Sequence, residues 1–250
     1  MKAVNVLAGR LHRASRLTVL TGAGVSAASG VPTFRGPGGL WKDFRPEELA
    51  TREAFARDPR LVWEWYDWRR QLVSRCRPNR AHEVIAQWSR RYPVFRLITQ
   101  NVDGLHERAG TQGLTRFHGS LWDVSCWNSC RGAPPRWRDE TVPFAELPPR
   151  CPHCGGWVRP GVVWFGEPID AEVLRDSADA LDCDVCLVVG TSSVVYPAAG
   201  LAGEARRRGS FVAVLNPDAD AGAEDADLVL AGRAEEVLDE LEMALTREWR

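Results

Sequence analysis

Hydrophobic and polar positions follow helical spacing in some parts of the chain and form short apolar runs in others. Apolar residues recur at helical spacing over Val4 to Ala14, and the apolar run Leu17 to Thr21 that follows breaks at Gly22. Spacing of three to four predicts an amphipathic helix, whereas a short run bounded by glycine is typical of a buried strand. We therefore predict that the chain begins with a helix and then a buried strand.

Helical and strand-like segments alternate through much of the remaining sequence. Asp58 and Pro59 predict a helix start, because aspartate caps helix N-termini and proline fits the first helical position. The predicted helices cover residues 61–73, 79–90 and 198–208. β-rich runs predict strands over residues 94–99, 185–189, 211–215 and 228–230. This alternation predicts an α/β fold, a Rossmann-like parallel sheet that helices cover on both faces.

One segment departs from this alternation. Residues 120–160 are rich in Cys, Pro, Trp and Arg and show little periodicity, so we expect a small module that something other than an apolar core holds together. The predicted division of the chain therefore has three parts. The Rossmann-like domain takes residues 1–34, 84–119 and 160–250, a loop with a helical insert takes residues 35–83, and the small module takes residues 120–159.

Charge and composition exclude several classes of protein. The chain carries 32 basic and 33 acidic residues, a net charge of -1, whereas a protein that binds nucleic acid through bulk charge has a basic excess. The hydrophobic content of 44% is typical of a globular protein with a sizeable core. The apolar runs are far shorter than the roughly 20 residues of a membrane span, and the N-terminus lacks a signal-peptide pattern. We expect a cytoplasmic protein that binds neither membranes nor nucleic acid.

The glycine turn after the first predicted strand is a candidate binding site. Gly22, Gly24 and Ala27 fit the pattern G-x-G-x-x-A, in which small residues let the backbone approach a pyrophosphate and a helix N-terminus bind it. A tight turn without a ligand is the alternative. A dehydrogenase would also end a second strand on an acidic residue about 20 positions later. Asp43 has this spacing, but the glycines before it and Pro46 after it leave no strand there, which weakens the dehydrogenase interpretation.

Four of the seven cysteines form two close pairs. Cys126 and Cys130 are followed, after 20 intervening residues, by Cys151 and Cys154. This spacing is close to that of a structural zinc site, in which four thiolates fill every coordination position and leave none for catalysis. Unligated thiols are one alternative, and replacement of a sulfur by His153 is another. We expect one structural Zn²⁺.

Polar side chains follow several predicted strands. They occur at Gln100 to Asp103, at His118, at Gly190 to Ser192 and at Asn216. In an open parallel sheet the ligand binds beyond the carboxyl ends of the strands, so we expect these residues to converge on the glycine turn. The near-neutral pKa of histidine suits His118 to accept a proton from a hydroxyl group. A purely structural histidine is the alternative.

Six motifs stand in an order that is typical of one family. They are Gly22-Ala-Gly-Val-Ser26, Gly30-Val-Pro-Thr-Phe-Arg35, Thr99-Gln-Asn-Val-Asp-Gly-Leu-His106, His118-Gly-Ser120, Val162-Val-Trp-Phe-Gly-Glu167 and Gly190-Thr-Ser192. With these motifs, residues 15–235 resemble the sirtuin family, the NAD-dependent protein lysine deacylases. The resemblance implies a Rossmann-like domain and a small zinc-binding domain with helices beside it. It also implies that acyl-lysine side chains of proteins bind as extended peptides, and that NAD is consumed as a substrate without hydride transfer.

The resemblance assigns roles to individual positions. NAD would contact Gly22, Ala23, Gly24, Ser26, Thr33, Phe34, Arg35, Trp41, Gln100, Asn101, Asp103, Gly190, Thr191, Ser192, Asn216 and Ala234. The acylated peptide would contact Tyr66, Arg69, Val162, Val163, Phe165, Gly166, Glu167 and Val194. The catalytic residues would be His118 and Asn101, and the zinc ligands would be the two close cysteine pairs. A monomer is expected.

The resemblance also implies a reaction. The acyl oxygen would attack the sugar carbon that bears nicotinamide and give an alkylamidate. His118 would then accept a proton from a ribose hydroxyl, which attacks the imidate carbon, and water would complete the release. The products would be lysine, nicotinamide and O-acyl-ADP-ribose.

One pair of residues bears on the choice of acyl group. Tyr66 and Arg69 stand three positions apart on a predicted helix, so both project from one face, and a phenol with a guanidinium group suits a carboxylate. On spacing alone, a solvated arginine beside a core aromatic residue is the favoured alternative. The sirtuin branch that removes succinyl, malonyl and glutaryl groups carries Tyr-x-x-Arg here, and a threonine at the position of Thr33, where most of the family has aspartate. The chain resembles that branch, which implies removal of acidic acyl groups with weaker deacetylation.

Other functions remain open at this stage. The chain could be predominantly a deacetylase, a protein ADP-ribosyltransferase of the same fold, or a non-catalytic zinc adaptor that binds ADP-ribose or NAD. A deacylase would release nicotinamide only when an acylated peptide is present, whereas an adaptor would bind without turnover.

Overall fold

The computed structural model describes residues 2–33 and 45–248. The helices are α1 Lys2–Arg13, α2 Pro46–Leu49, α3 Arg52–Arg57, α4 Pro59–Arg75, α5 Arg80–Arg91, α6 Leu105–Arg108, α7 Ala171–Ala180, α8 Gly200–Arg207 and α9 Ala234–Glu248. The strands are β1 Arg16–Thr21, β2 Val94–Thr99, β3 Leu114–Arg116, β4 Gly119–Cys126, β5 Trp137–Arg138, β6 Val158–Val162, β7 Val185–Val189, β8 Phe211–Asn216 and β9 Leu228–Ala231. Two 3₁₀ helices cover Ala23–Ser29 and Ala223–Asp225.

Six parallel strands form the large sheet, in the order β3-β2-β1-β7-β8-β9. The chain adds β2 and β3 on one side of β1, and β7, β8 and β9 on the other side. The connections after β1 and β7 therefore diverge, and a crevice opens at the carboxyl ends of these two strands. The prediction of a Rossmann-like parallel sheet is confirmed.

Helices cover both faces of this sheet because its strands are apolar on both sides. Val19 and Leu187 point into a core that α1, α5 and α9 complete, whereas Leu20 and Val188 point into a second core beside α7 and α8. Side chains of successive strand residues point to opposite faces, so the continuous apolar runs seen in the sequence supply both cores. This is the usual pattern of a doubly covered parallel sheet.

The predicted helix starts are present with their caps. The Asp58 side chain accepts a hydrogen bond of 2.9 Å from the Leu61 backbone N–H, and Pro59 is the first residue of α4. The Asn79 side chain caps α5 in the same way. Both helices agree with the predicted ranges to within two residues. Capping by side-chain oxygens satisfies amide groups that have no partner inside the helix.

The cysteine-containing segment and its flanks form a second sheet of three antiparallel strands, in the order β5-β4-β6. Its buried residues Val124 and Val158 pack in one apolar cluster with Phe55 of α3 and Trp63 of α4. The expectation that this segment lacks an apolar core is therefore wrong. Its own sequence shows little periodicity because α3 and α4 supply much of the apolar surface that it packs against. The domain boundaries given above stay predictions.

Among residues 2–33 and 45–248, no helix is long and apolar enough to cross a membrane.

Candidate active site

A cleft with a volume of about 960 Å³ lies at the carboxyl ends of β1, β2, β7 and β8, beside α4 and the end of β6. Most of the residues predicted to bind NAD or peptide line it together. They are Gly22, Ala23, Gly24, Thr33, Tyr66, Arg69, Gln100, Asn101, His118, Val162, Val163, Phe165, Gly166, Glu167, Gly190, Thr191, Ser192, Asn216 and Ala234. Residues that are up to 212 positions apart in sequence (22 to 234) thus share one cavity.

A few predicted site residues lie elsewhere. Ser26 and Asp103 are buried behind the lining of the cleft, and Val194 is exposed outside it. Phe34, Arg35 and Trp41 lie outside the described residues, so their roles stay predictions.

The glycine turn is packed directly against the connection after β7. The Gly24 N–H donates to the Gly190 carbonyl at 2.8 Å. A Cβ atom on Gly24 would lie 2.8 Å from the Gly190 Cα, and Gly190 itself has φ +61°. Only glycine fits this approach, because a side chain on either residue would meet the other backbone. The residues after Gly22 form a 3₁₀ helix, where the G-x-G-x-x-A pattern predicts an α-helix.

Ser26 is the centre of a buried polar cluster beneath the turn. Its hydroxyl donates to Asp103 Oδ2 at 2.8 Å and accepts from Asn101 Nδ2 at 3.3 Å, and His82 Nε2 lies 3.4 Å away. Asn101 Nδ2 also donates to the Gly22 carbonyl at 3.0 Å. These bonds fix the Asn101 amide with its nitrogen toward the protein, which leaves Oδ1 available as an acceptor for a ligand. Burial raises the pKa of Asp103.

His118 stands half-buried between β3 and β4, with its Nδ1 3.3 Å from the Gln100 carbonyl oxygen. A carbonyl can only accept a hydrogen bond, so Nδ1 carries the proton and Nε2 keeps its lone pair. Burial lowers the pKa of His118 below its usual value, and the bond to Gln100 partly opposes this. The imidazole is therefore neutral at pH 7 and can accept a proton at Nε2.

Side-chain amides connect the strand ends at one side of the cleft. Gln100 Nε2 donates to Thr191 Oγ1 at 3.0 Å, and Asn216 Nδ2 donates to the Thr191 carbonyl at 2.7 Å. These bonds connect the ends of β2, β7 and β8. Hydroxyl and amide groups at this edge suit the ribose and phosphate oxygens of a nucleotide.

Tyr66 and Arg69 lie at the other end of the cleft, on α4. Both side chains are buried, with 2% and 5% of their surface exposed, and both line the cavity. The Arg69 guanidinium lies 4.6 Å from the Trp65 ring centroid. Burial lowers the pKa of Arg69, while Tyr66 and Asp103 oppose this; burial likewise raises the pKa of Tyr66. Arg69 and Tyr66 thus present a guanidinium group and a phenol to the same cavity.

The segment after β6 forms one wall of the cleft. The Phe165 N–H donates to the Ala50 carbonyl at 2.9 Å, and the Val163 N–H donates to the His118 carbonyl at 3.0 Å. Glu167 lines the cleft and forms an ion pair with Arg159. Burial opposes ionisation of this carboxyl group, but the hydrogen bonds from Arg159 lower its pKa below the usual value. The predicted contact of Glu167 with the peptide stays a prediction.

Several residues that line the cleft were not predicted. They include Ala50, Trp65, Trp164, Ile169, Leu174 and Arg233. Trp164 stands inside a recognised motif, so its position was a usable signal. The other apolar residues have no sequence pattern that distinguishes the wall of a cavity from the hydrophobic core, since apolar residues form both.

The two cysteine pairs meet at one point, as their spacing predicts. Their four sulfur atoms lie within 4.8 Å of one another. Cys126 and Cys154 are 3.7 Å apart and Cys130 and Cys151 are 3.9 Å apart. A tetrahedral zinc ion with Zn–S bonds of about 2.3 Å needs sulfur atoms about 3.8 Å apart. The cluster thus fits a structural zinc site, and it lies in the small sheet module, outside the lining of the cleft.

The fold and the cleft define a class of protein: a doubly wound α/β protein with its ligand cleft at the switch point of the sheet and a four-cysteine module beside it. The model of the Sir2 family matches residues 22–197. An NAD-dependent protein deacylase 2 from Pyrobaculum aerophilum is 47% identical over 251 residues, which covers 100% of this chain and 97% of the relative. The chain therefore belongs to the Sir2 family.

Solved structures agree. A Sir2 homologue in complex with NAD superposes with a TM-score of 0.91 and 44% identity, over 98% of this chain and 94% of that chain. A Sir2 protein bound to a myristoylated histone peptide superposes with a TM-score of 0.79 and 30% identity, over 99% and 98% of the two chains.

Proposed function

We propose that this Sir2-family enzyme is an NAD-dependent protein lysine deacylase that prefers acidic acyl groups: succinyl, malonyl and glutaryl. The observation that carries the acyl preference is the buried pair Tyr66 and Arg69 at one end of the cleft. The coarser activity is supported by family membership and by relatives that are named as NAD-dependent protein deacylases.

NAD binds, in this proposal, at the switch point of the sheet. Gly22 and Gly24 bring backbone within reach of the phosphates, as the G-x-G-x-x-A pattern requires. Gln100, Thr191 and Asn216 face the adenosine half. Asn101 offers Oδ1 to the carboxamide of nicotinamide, because its Nδ2 is held by the Gly22 carbonyl and Ser26. The solved complex of a Sir2 homologue with NAD supports this placement.

His118 acts as the general base. Its neutral imidazole, with Nδ1 toward the Gln100 carbonyl, leaves Nε2 to accept a proton from a ribose hydroxyl. That proton transfer makes the hydroxyl oxygen nucleophilic toward the carbon of the acyl group, and O-acyl-ADP-ribose is the product. The zinc ion stabilises the small module and takes no part in this chemistry, since four thiolates leave it no open position.

The acyl end recognises a carboxylate. A guanidinium group can bond both oxygens of a carboxylate, and a phenol can donate to one of them. Arg69 is buried, so its charge is disfavoured by desolvation, and a bound carboxylate would offset that cost. Hydrogen bonds to charged groups contribute about 1.5 to 3 kcal/mol each, which corresponds to a preference of at least about tenfold over an acetyl group.

The peptide lies extended between residues 162–167 and 193–197 and pairs its backbone with both segments, in the manner of strand addition. The structure of a Sir2 protein with an acylated histone peptide supports a peptide substrate. We further propose that the enzyme acts as a monomer, because one chain supplies both walls of the cleft.

Incubation of the protein with NAD and matched acetyl, succinyl, malonyl and glutaryl peptides, followed by mass spectrometry, tests this function. We expect nicotinamide and O-acyl-ADP-ribose to form only when acylated peptide is present, and fastest with the acidic acyl groups. A faster reaction with acetyl peptide would reduce the proposal to a deacetylase. ADP-ribose attached to protein would indicate a transferase, and NAD binding without turnover would indicate an adaptor.

A further inference from the structure

Trp164 connects the peptide side of the cleft to the acyl end. It belongs to the segment after β6, is only 2% exposed, and donates a hydrogen bond of 3.0 Å from its Nε1 to the hydroxyl oxygen of Tyr66. Tyr66 is 98 positions earlier, on α4. The bond joins two separate elements at the point where the phenol faces the cavity.

An arginine and a glutamate hold Trp164 in place, one at its ring and the other at its backbone. The Arg159 guanidinium lies 3.7 Å from its ring centroid, a cation–π contact. The Trp164 backbone N–H donates to Glu167 Oε2 at 2.9 Å, and Arg159 donates to the same oxygen at 2.9 Å. The side chains of Arg159 and Glu167 are only 11% and 13% exposed. This closed set of charged contacts fixes the orientation of the indole N–H.

A hydrogen bond from Trp164 determines what the Tyr66 hydroxyl can do. The phenol oxygen accepts a hydrogen bond from the indole N–H, so the phenol O–H remains available to donate to a ligand. The hydrogen bond also restricts rotation of the hydroxyl group about its C–O bond, so less conformational entropy is lost when a carboxylate binds. Without Trp164, the hydroxyl could serve as donor or acceptor in several orientations.

We propose that Trp164 is a positioning residue that sets acyl specificity, because it holds the Tyr66 hydroxyl as a donor toward the carboxylate of an acidic acyl group. Arg159 and Glu167 in turn hold Trp164. This inference rests on the proposed function, since it explains how the acidic acyl group is selected. An acetyl group has no carboxylate to receive the phenol proton, so its removal depends less on the bond.

The variant Trp164→Phe tests the proposal, because it removes the indole N–H and keeps an aromatic ring against Arg159. Steady-state kinetics with succinyl and acetyl peptides give the ratio of the two kcat/KM values. We expect this ratio to fall by about three- to tenfold, mainly through a higher KM for the succinyl peptide. In a Tyr66→Phe background, Trp164→Phe should lower the ratio no further, because both changes break the same bond.

Trp63→Phe is the matched control. Trp63 is a buried tryptophan of α4 whose Nε1 donates to the Val158 carbonyl at 2.7 Å. Its replacement also removes one buried indole hydrogen bond, but one that does not reach Tyr66, so the ratio should stay at the wild-type value. If Trp164→Phe does not fold, benzothienylalanine at position 164 replaces only the N–H by sulfur and serves the same test.

Some outcomes would overturn the inference alone. Trp164 would have only a structural role if Trp164→Phe lowered both activities equally or left the ratio unchanged. The same conclusion would follow from an additive loss in the Tyr66→Phe background, or from an equal shift of the ratio with Trp63→Phe. If Arg69→Met nevertheless lowers the ratio, the proposed function stands. A wild-type enzyme that shows no preference for succinyl peptide would overturn the proposed function, and this inference with it.

Discussion

Arg69 and Arg70 are neighbours on α4, yet their guanidinium groups occupy opposite environments. Arg69 lines the cleft beside Tyr66. Arg70 points into the cysteine module, where it donates to the backbone carbonyls of Leu121, Asp139 and Thr141. Burial lowers the pKa of both groups. A buried cation needs compensating partners, and the module supplies three backbone carbonyls to Arg70. Arg69 lines the cleft, where we propose that its guanidinium group also binds the substrate carboxylate.

The variant Arg69→Met tests the role of this arginine directly. Methionine keeps much of the side-chain volume but removes the donor to the substrate carboxylate. We expect desuccinylation to fall by about tenfold or more while deacetylation falls far less, because one charge-assisted hydrogen bond contributes about 1.5 to 3 kcal/mol. The measurement is kcat/KM for matched succinyl and acetyl peptides. An equal loss of both activities would contradict the carboxylate role.

Arg70→Met is the natural comparison for that variant. It leaves the three carbonyls without their donor, so we expect a loss of stability in urea unfolding of about 3 kcal/mol or more. The ratio of desuccinylation to deacetylation should remain near the wild-type value in the folded fraction.

His118 predicts a pH profile. The base must be neutral, and burial lowers its pKa, so activity should be full above the usual histidine pKa of about 6.5 and fall only at lower pH. The acid limb of kcat/KM with a succinyl peptide should therefore have its midpoint below pH 6.5. His118→Tyr should abolish removal of every acyl group while the far-UV circular dichroism spectrum stays unchanged. Retained turnover in this variant would exclude His118 as the base.

The turn after β1 and the connection after β7 are in direct backbone contact at Gly190. A Cβ atom on Gly190 would lie 2.6 Å from the Val25 backbone nitrogen, and its φ is +61°. Gly190→Ala should therefore separate the two strand ends at which we propose that NAD binds. We expect a loss of about 2 kcal/mol or more in the free energy of unfolding, together with weaker NAD binding by calorimetry.

Gly209→Ala separates backbone strain from this clash. Gly209 also has a positive φ, +93°, but a Cβ atom there would meet nothing within 4 Å. Its replacement should cost only about 1 kcal/mol of conformational strain and leave NAD binding intact. If both variants lose NAD binding equally, the close approach of the two glycines is not what shapes the site.

The cysteine module predicts one zinc ion for each chain. Cys151→Ser replaces one of four thiolates, so we expect metal loss by elemental analysis and a lower unfolding midpoint, since structural zinc contributes directly to folding. Cys183→Ser, at a buried cysteine outside the cluster, should keep the zinc. Wild-type protein purified without chelators and found free of metal would contradict the zinc site.

For the whole molecule, two buried histidines link stability to pH. His82 and His106 are fully buried with ring centroids 4.7 Å apart. Burial lowers the pKa of His82 to about 4 and that of His106 well below its usual value. The unfolded chain, with a histidine pKa near 6.5, binds protons that the folded chain excludes. Stability is therefore full above about pH 6.5 and falls as the pH decreases toward 4.

Urea unfolding between pH 7 and pH 4.5 measures this link. For His82 alone the expected loss is on the order of 3 kcal/mol across its full range, and Asp103, whose pKa burial raises, acts in the opposite direction. His82→Gln should make the pH dependence less steep, because one excluded proton is removed. An equal slope in wild type and His82→Gln would contradict the role of His82.

Much of the fold could be predicted because the signals are local. Apolar runs identified β1, β2, β7, β8 and β9. The cap Asp58 with Pro59 located the start of α4. β3 was missed, since a strand of three half-buried residues has no pattern of its own. The small sheet was also missed, because its apolar residues pack against α3 and α4 and show no regular period within the segment.

The sequence by itself determined which elements form, which loops carry glycine and polar residues, and which four cysteines lie close enough in spacing to share a metal. These are consequences of backbone geometry and side-chain chemistry over a few neighbouring residues. The tertiary structure decided that Ser26 and Asp103 lie behind the cleft, that Arg69 faces it while Arg70 does not, and that Trp164 bonds to Tyr66. Those features depend on how distant elements pack. A periodic pattern shows that one face of an element is buried, but it does not show which distant residues that face contacts.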